Sequence, residues 1–142
     1  MIRHVSGIAE VVADVDAAVA FYQGLGLSVE RLMPGYAVVE VPGVLHFGLW
    51  DCGDCAESTF GSRDAVDKVR LGFTLGLEVD DVDETGKSFA GTVLRAAADE
   101  PWGQRTLRFA SPSGAICEFS ASPGARELET NVTPKATEEA SA

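Results

Sequence analysis

The chain contains two copies of one sequence pattern, separated by a constant 67 positions. The segment GIAEVVADVDAAVAFYQGLG, residues 7–26, returns as TLGLEVDDVDETGKSFAGTV, residues 74–93, so that Asp14 matches Asp81. A repeat at a constant separation indicates two copies of one supersecondary unit. Any fold proposed for this chain must therefore contain two similar halves.

Each half has the pattern of a βαβββ unit. In the first half a β-branched run, residues 5–13, precedes Asp14 or Asp16 as the helix cap, and glycines end the helix. Three short apolar segments follow, SVERLM, YAVVEV and VLHFGLWD, and Pro-Gly turns separate them. The second half repeats this order, beginning with a predicted strand over residues 73–80.

One βαβββ unit leaves its sheet half covered, so the two units must pair, within the chain or across a dimer. The predicted fold class is α+β, with paired βαβββ modules forming a curved mixed sheet, a concave cavity and helices on the convex side. One domain is predicted over residues 1–122, with modules at about 2–51 and 71–122 and a connection over 51–70. Residues 123–142 lack apolar periodicity, which predicts a polar, disordered tail. A ligand is expected in the concavity.

Composition excludes several classes of partner. A length of 142 residues with 46% hydrophobic residues suits one globular domain. The formal net charge of −11 repels phosphate backbones and anionic lipids, so neither nucleic acid nor a membrane is predicted as a partner. No apolar run approaches the roughly 18 residues of a membrane span. Three cysteines do not make a disulfide framework, which favours a cytoplasmic location.

Four motifs in order resemble those of the vicinal oxygen chelate superfamily. They are V-x-D-V-D-x-x-x-x-F-Y (residues 12–22), V-D-D-V-D (79–83), P-W-G-Q-R-T (101–106) and S-P-S-G-x-x-x-E (111–118). That superfamily contains glyoxalase I, extradiol dioxygenases, fosfomycin resistance enzymes and bleomycin-resistance binding proteins. The resemblance covers residues 2–122 and implies the paired-module fold. It does not select one chemistry, because one fold hosts many.

The resemblance also implies where a metal would be held. Enzymes of the superfamily bind a divalent metal through four inward His or Glu side chains, on the first and last strands of each half. The first-strand ligand lies seven residues before the aspartate that opens the helix. Counting back from Asp14 and Asp81 reaches Gly7 and Thr74, and neither supplies a histidine nitrogen or a carboxylate.

The last-strand ligand of the second half matches Glu118. Aligning the turn glycines of the two halves places Phe47 opposite Glu118, and a slip of one residue would place His46 or Gly48 there. One carboxylate and one hydroxyl fall short of the three or four ligands that a divalent cation needs. No metal cofactor is therefore predicted, with a divergent divalent metal site as the alternative.

Strand alternation predicts which side chains line the concavity. The predicted ligand-binding residues lie on the inward face or at its rim: Trp102, Phe47, Leu45, Leu49, Thr74, Glu78, Glu118 and Gly7. Trp102 is predicted as an aromatic platform, or alternatively as a packing residue between the halves. Alternation from Phe47 turns His46 and Trp50 toward the helices.

Two further patterns receive no ligand-binding role. Cys52 and Cys55 form a C-x-x-C, which is predicted as a loop pair because no second pair completes a zinc site. Arg105 and Arg108 are predicted to face alike, toward solvent or an ion pair.

The leading hypothesis is a metal-free small-molecule binding protein of the glyoxalase/bleomycin-resistance type, sequestering an apolar or planar aromatic compound as drug-resistance proteins do. The alternative is a lyase, isomerase or dioxygenase-like enzyme that uses Glu118 or Glu78 as its catalytic base, or a divergent metal site. The resemblance also implies a homodimer.

Overall fold

A computed structural model describes residues 1–122, and the predicted tail over 123–142 lies outside the described residues. The first module comprises β1 (Ile2–Val12), α1 (Val15–Gly24), β2 (Val29–Met33), β3 (Tyr36–Val39) and β4 (Phe47–Asp51). The connection contains α2 (Cys52–Phe60) and a short 3-10 helix (Arg63–Lys68). The second module comprises β5 (Gly72–Val79), α3 (Val82–Ser88), β6 (Val93–Asp99), β7 (Arg105–Ala110) and β8 (Ile116–Ala121).

The two modules form one eight-stranded sheet in the order β2-β3-β4-β1-β5-β8-β7-β6. Strands β1 and β5 pair antiparallel at its centre, while β1 with β4 and β5 with β8 pair in parallel. The modules therefore pair within one chain, edge to edge. The predicted α+β fold of paired βαβββ modules with a curved mixed sheet is confirmed.

Each module helix begins at the first aspartate of its repeat. The Asp14 carboxylate accepts a hydrogen bond from the backbone N–H of Ala17 at 3.0 Å, and Asp81 accepts one from Glu84 at 3.1 Å. Such caps satisfy backbone donors that the first helical turn leaves unpaired, and each contributes about 1 kcal/mol. The sequence repeat thus fixes the start of both helices.

Helices α1 and α3 cover the convex face of the sheet, and the apolar core lies beneath them. Under α1 the buried side chains are Val15, Ala37, Val39 and Leu49. Under α3 they are Val79, Val82, Leu107, Phe109, Cys117 and Phe119. Val15 and Val82 belong to the helices themselves, and the other side chains come from alternate strand positions, as expected for a sheet with one face packed on helices.

Helix α2 lies on the opposite, concave face, at the end of the sheet where β1 finishes and β8 begins. Cys55 of α2 packs there against Val11 and Ile116. The predicted loop position of Cys52 and Cys55 is wrong, because both lie on this helix. Burial raises the pKa of the Cys55 thiol to about 11, so Cys55 is a neutral packing residue near pH 7.

Within residues 1–122, the helices are all too short or too polar to span a lipid bilayer.

Candidate functional site

The strand register shows that Gly48, and not Phe47, is the counterpart of Glu118. Ala9 pairs with Gly48, while Gly76, which lies 67 positions after Ala9, pairs with Glu118. The first half has one more residue between its turn glycine and this position. Because side chains alternate along a strand, a shift of one residue reverses the face. The prediction that Phe47 stands opposite Glu118 is therefore wrong.

Phe47 and Leu49 consequently face α1 on the convex side, and their predicted place in the concavity is wrong as well. The Phe47 ring lies edge-on to the Tyr22 ring, with centroids 5.2 Å apart. Leu49 is fully buried in the cluster beneath α1. Leu45 precedes β4 and lies half-buried in a surface groove that it shares with Leu27.

The four positions that the resemblance assigns to metal ligands are thus Gly7, Gly48, Thr74 and Glu118. The Thr74 hydroxyl is already engaged, since it donates a hydrogen bond to the Ile116 carbonyl. In the part of the chain that the structure describes, no group of three or more His, Cys, Asp or Glu side chains could hold a metal ion. One available carboxylate does not fit the coordination that a divalent cation requires.

Two side chains of the first module fill the space that ligands at Gly7 and Gly48 would occupy. A Cβ atom on Gly48 would overlap the Tyr36 hydroxyl, and one on Gly7 would lie 3.3 Å from Cδ2 of His46. The Tyr36 hydroxyl and His46 Nε2 are hydrogen-bonded at 2.5 Å. His46 therefore lies on the concave face, and the prediction that it faces the helices is wrong.

Burial keeps the Tyr36–His46 pair uncharged near pH 7. Burial, together with the smaller effect of the negative charge of Glu118, raises the pKa of Tyr36 to about 12. Burial also lowers the pKa of His46, which favours the neutral imidazole. The pair is thus a neutral phenol bonded to a neutral imidazole.

Glu118 stands across the central strands from this pair. Its Cγ lies 3.5 Å from the position of a Cβ on Gly76, and Gly76 pairs with Gly7 across β1 and β5. The Oε2 atom of Glu118 is buried and has no hydrogen-bond partner within residues 1–122. Burial raises the pKa of this carboxyl, and the positive charge of Arg108 partly offsets the effect. Glu118 therefore holds a buried acceptor oxygen that no described residue satisfies.

Arg108 lies directly opposite Glu118 on the neighbouring strand β7 and is only 2% exposed. It donates hydrogen bonds to Ser58 at 2.5 Å and Thr59 at 3.3 Å, both on α2. Its guanidinium also lies over the Trp50 ring, 5.1 Å from the centroid. Arg108 thereby fixes α2 to the sheet, which sequence reasoning did not anticipate.

The prediction that Arg105 and Arg108 face alike is wrong. They lie three positions apart on one strand, so alternation places them on opposite faces. Arg105 forms ion pairs with Asp83 and Asp99 away from the concavity.

The prediction that Trp50 faces the convex side is also wrong. Trp50 packs with Val11 beneath α2, on the concave face.

Glu78 lies on the concave face, but its carboxylate is fully engaged. It is 2% exposed and accepts hydrogen bonds from the hydroxyls of Ser120 and Ser122 and from the Ser122 backbone N–H. Ser120 in turn contacts Ser6 of β1 at 3.0 Å. This network joins the two modules, which makes Glu78 a structural residue rather than a free ligand contact.

Trp102 lies in the turn between β6 and β7 and is 57% exposed. Its indole N–H donates to the Gln104 side chain at 2.7 Å, and the Gln104 amide donates to Ser122. Trp102 is thus a rim residue, connected by hydrogen bonds to the network around Glu78. Its predicted role as an aromatic platform stays a prediction.

The buried charges on the concave face do not balance. Arg95 forms an ion pair with Glu100, and Arg108 lies 3.5 Å from the same carboxylate. These two guanidinium groups stand against the carboxylates of Glu78, Glu100 and Glu118. One negative charge is in excess among these five when all are ionised. Glu118 carries that excess, because Glu78 and Glu100 have their hydrogen bonds within the protein.

The sheet of paired modules, with helices on one face and an open concavity on the other, defines a protein of the vicinal oxygen chelate fold class. A methylmalonyl-CoA epimerase variant from Streptomyces coelicolor shares the fold, with a TM-score of 0.60 at 18% identity over 86% of this chain and 96% of that chain. A glyoxalase/bleomycin resistance protein/dioxygenase superfamily member from Vibrio splendidus gives 0.56 at 18% identity over 86% and 100%. The resemblance drawn from the sequence motifs is confirmed at the level of the fold.

Within that class, the sequence model of the family described as bleomycin resistance protein-like N-terminal matches residues 11–42. This segment runs from the end of β1 through β3 and includes Tyr36. No curated protein sequence matches the chain with statistical significance.

Proposed function

We propose that the protein binds a small planar aromatic molecule on its concave face, without a metal at the positions that the superfamily uses. The observation that carries this proposal is the buried, unpartnered Oε2 atom of Glu118. A buried polar atom without a partner costs about 1–3 kcal/mol, and a ligand that donates a hydrogen bond to it removes that cost. The ligand therefore carries an N–H or O–H donor.

The surroundings of Glu118 support a planar and preferably cationic ligand. The excess negative charge favours a cation, and the chain's net charge of −11 attracts one over longer distances. The Tyr36 and His46 rings are nearly parallel, with an interplanar angle of 12°, and supply two aromatic surfaces on the concave face for a planar ligand. Sequestration of such a compound in the cytoplasm is the role we infer, as expected for a protein similar to the bleomycin-resistance group.

Benzamidine, a planar cation whose amidinium group carries four N–H donors, is a direct probe of this site. We expect it to raise the melting temperature, since a ligand at 100 times its dissociation constant adds about 2.7 kcal/mol of stability. Glu118→Gln keeps the side-chain shape but removes the charge. It should weaken benzamidine binding about 10- to 100-fold, the difference expected for a charge-assisted hydrogen bond. Calorimetric titration measures both affinities.

Glu40→Gln is the matched control, because Glu40 is exposed beyond the end of β3. Benzamidine should also bind more tightly as pH rises through the pKa of Glu118, since the carboxylate is the binding form and burial raises that pKa. Equal affinity in the wild type and Glu118→Gln would contradict the role of Glu118. A stoichiometric divalent metal that is lost in Glu118→Gln would contradict metal-free binding.

The second candidate is an enzyme of the lyase, isomerase or dioxygenase type. It is favoured by a carboxyl of raised pKa opposite a neutral phenol–imidazole pair, since such groups suit general acid–base chemistry. Turnover of a carbonyl or diol compound that disappears in Glu118→Gln would establish it. Bound benzamidine without any turnover would favour the binding protein.

The convex side supports a homodimer. Phe21 on α1 is 61% exposed and Phe73 on the central strand β5 is 60% exposed, and Leu75 on β5 is exposed as well. Exposed apolar patches of this kind mark protein interfaces. We propose that a second copy of the chain covers this patch.

Phe73→Asp should therefore shift the protein toward monomer, as measured by analytical ultracentrifugation. A central aromatic contact contributes about 2 kcal/mol or more to association, which corresponds to a roughly 30-fold weaker dimer. Leu32→Asp is the control, because Leu32 is an exposed apolar residue on β2, far from the central strands. A wild-type protein that is monomeric at tens of micromolar would refute the dimer.

A further inference from the structure

Glu118 and the Tyr36–His46 pair lie on either side of two paired glycines, and the Ser6 hydroxyl, which contacts Ser120, covers part of the floor at Gly76. His46 lies over Gly7, and Glu118 lies beside Gly76. Gly7 and Gly76 are direct partners across β1 and β5, where Cβ positions are about 4.5–5.5 Å apart. The two polar groups therefore stand on opposite sides of a gap over the β1–β5 pair. They come from different modules, so the site exists only where the two halves of the sheet meet.

The two sides of the gap offer opposite hydrogen-bonding properties. The Glu118 carboxylate only accepts hydrogen bonds. When Nε2 of His46 carries the ring proton, it donates to the Tyr36 oxygen, and the Tyr36 hydroxyl proton is then available to a ligand. The raised pKa of Tyr36 keeps that proton on the phenol. One side thus accepts and the other side donates.

We propose that the site recognises a planar compound bearing an N–H donor and a carbonyl acceptor on the same edge, as in a cyclic amide. The N–H would donate to Glu118, and the carbonyl oxygen would accept from Tyr36, which His46 orients. Tyr36 and His46 are then specificity-determining residues. This inference rests on the proposed binding function and adds the chemical class of the ligand. It requires no covalent step and no co-reactant.

Other charged groups near Glu118 do not supply this pattern. Arg108 and Arg95 both donate to Ser58 of α2, and Arg95 also donates to Glu100, which follows β6. These bonds are directed away from the gap, although Nε of Arg95 is a buried donor without a partner among the described residues. Glu78 is engaged by serines of β8 and the residue after it. Glu118 and Tyr36 are therefore the pair that a ligand edge would contact.

Three bicyclic compounds of nearly equal size separate the two contacts. Oxindole has both the N–H and the carbonyl, indole has only the N–H, and 1-methyloxindole has only the carbonyl. We expect oxindole to bind about 3- to 10-fold more tightly than indole, as for one neutral hydrogen bond. We expect it to bind about 10- to 100-fold more tightly than 1-methyloxindole, as for one bond to a carboxylate. Titrations should be repeated at increasing pH, since burial raises the pKa of Glu118 and a higher pH favours its carboxylate.

Two variants assign each preference to a residue. Tyr36→Phe keeps the ring over Gly48 but removes the hydroxyl. In this variant oxindole and indole should bind with equal affinity, and oxindole should still bind more tightly than 1-methyloxindole. In Glu118→Gln, the affinity of oxindole relative to 1-methyloxindole should fall, and its affinity relative to indole should stay the same. Tyr22→Phe is the matched control, because the other tyrosine of the chain bonds Glu10 on the convex face. It should change neither preference.

The outcomes of these titrations distinguish failure of the ligand-edge inference from failure of the proposed binding function. If oxindole binds no more tightly than indole, or if its advantage survives Tyr36→Phe, the ligand-edge inference is overturned. Stabilisation by benzamidine would leave the proposed binding function standing in that case. If benzamidine and all three bicyclic compounds leave the protein unbound and unshifted, the proposed function fails together with the inference.

Discussion

Replacing Arg108 by methionine is expected to lower the free energy of unfolding by about 3–5 kcal/mol. Methionine replaces the long side chain with one of similar length, so the main loss is the charge and its hydrogen bonds. The positive charge is 3.5 Å from Glu100 and directly opposite Glu118, and both carboxylates would lose it while buried. The bonds from Arg108 to α2 would be lost too. Urea denaturation at pH 7.5 measures the change.

A second substitution tests the electrostatic part of this explanation. Adding Glu118→Gln to Arg108→Met should restore part of the lost stability, because it removes the carboxylate that the first change leaves unpaired. Arg105→Met in the same strand is the control, since Arg105 lies on the opposite, exposed face and should leave the unfolding midpoint nearly unchanged. A stability of Arg108→Met equal to that of the wild type would show that the buried charges are not coupled.

The second large effect is expected for Phe119→Ala, at about 3–5 kcal/mol of lost stability. The Phe119 ring stacks on Phe109 with centroids 4.5 Å apart and meets Phe89 of the α3 region at 5.4 Å. Alanine would leave a cavity in the core of the second module. Because β1 and β5 join both modules in one sheet, we expect the whole domain to lose this stability in a single transition.

The two tryptophans make this cooperativity measurable. Trp50 lies on β4 of the first module, and Trp102 lies in the β6–β7 turn of the second. In Phe119→Ala, variants that retain only one tryptophan should unfold at the same urea concentration whichever one is kept. If the Trp50 signal outlasts the Trp102 signal, the modules unfold separately and the shared sheet does not couple them.

The fold could be predicted because its main determinants are local and occur twice. Each copy places an apolar strand before an aspartate and a helix, and the caps at Asp14 and Asp81 follow directly from that pattern. The turn signals located the remaining strands to within a few residues. The repeat also aligns Gly7 with Thr74, so the sequence alone shows that neither first-strand ligand position carries an imidazole or a carboxylate.

The interior of the concavity could not be predicted in the same way. One additional residue before β4 reversed the face of Phe47 and His46, and the alignment of turn glycines does not show where an insertion is absorbed. The Tyr36–His46 contact depends on the space above two glycines of other strands, which no local pattern reports. Helix α2 forms where the connection meets Arg108, so its position depends on a contact 50 residues away in sequence.

The position of α2 determines how a guest molecule would have to enter. The helix blocks one end of the trough by packing on Val11 and Ile116, and Trp50 and Arg108 seal the space beneath it. A ligand seated between Glu118 and Tyr36 therefore meets a wall on that side. It would have to enter from a side that α2 leaves uncovered, with any long substituent directed away from α2. The protein would then tolerate variation in that substituent while remaining strict about the part of the ligand between Glu118 and Tyr36.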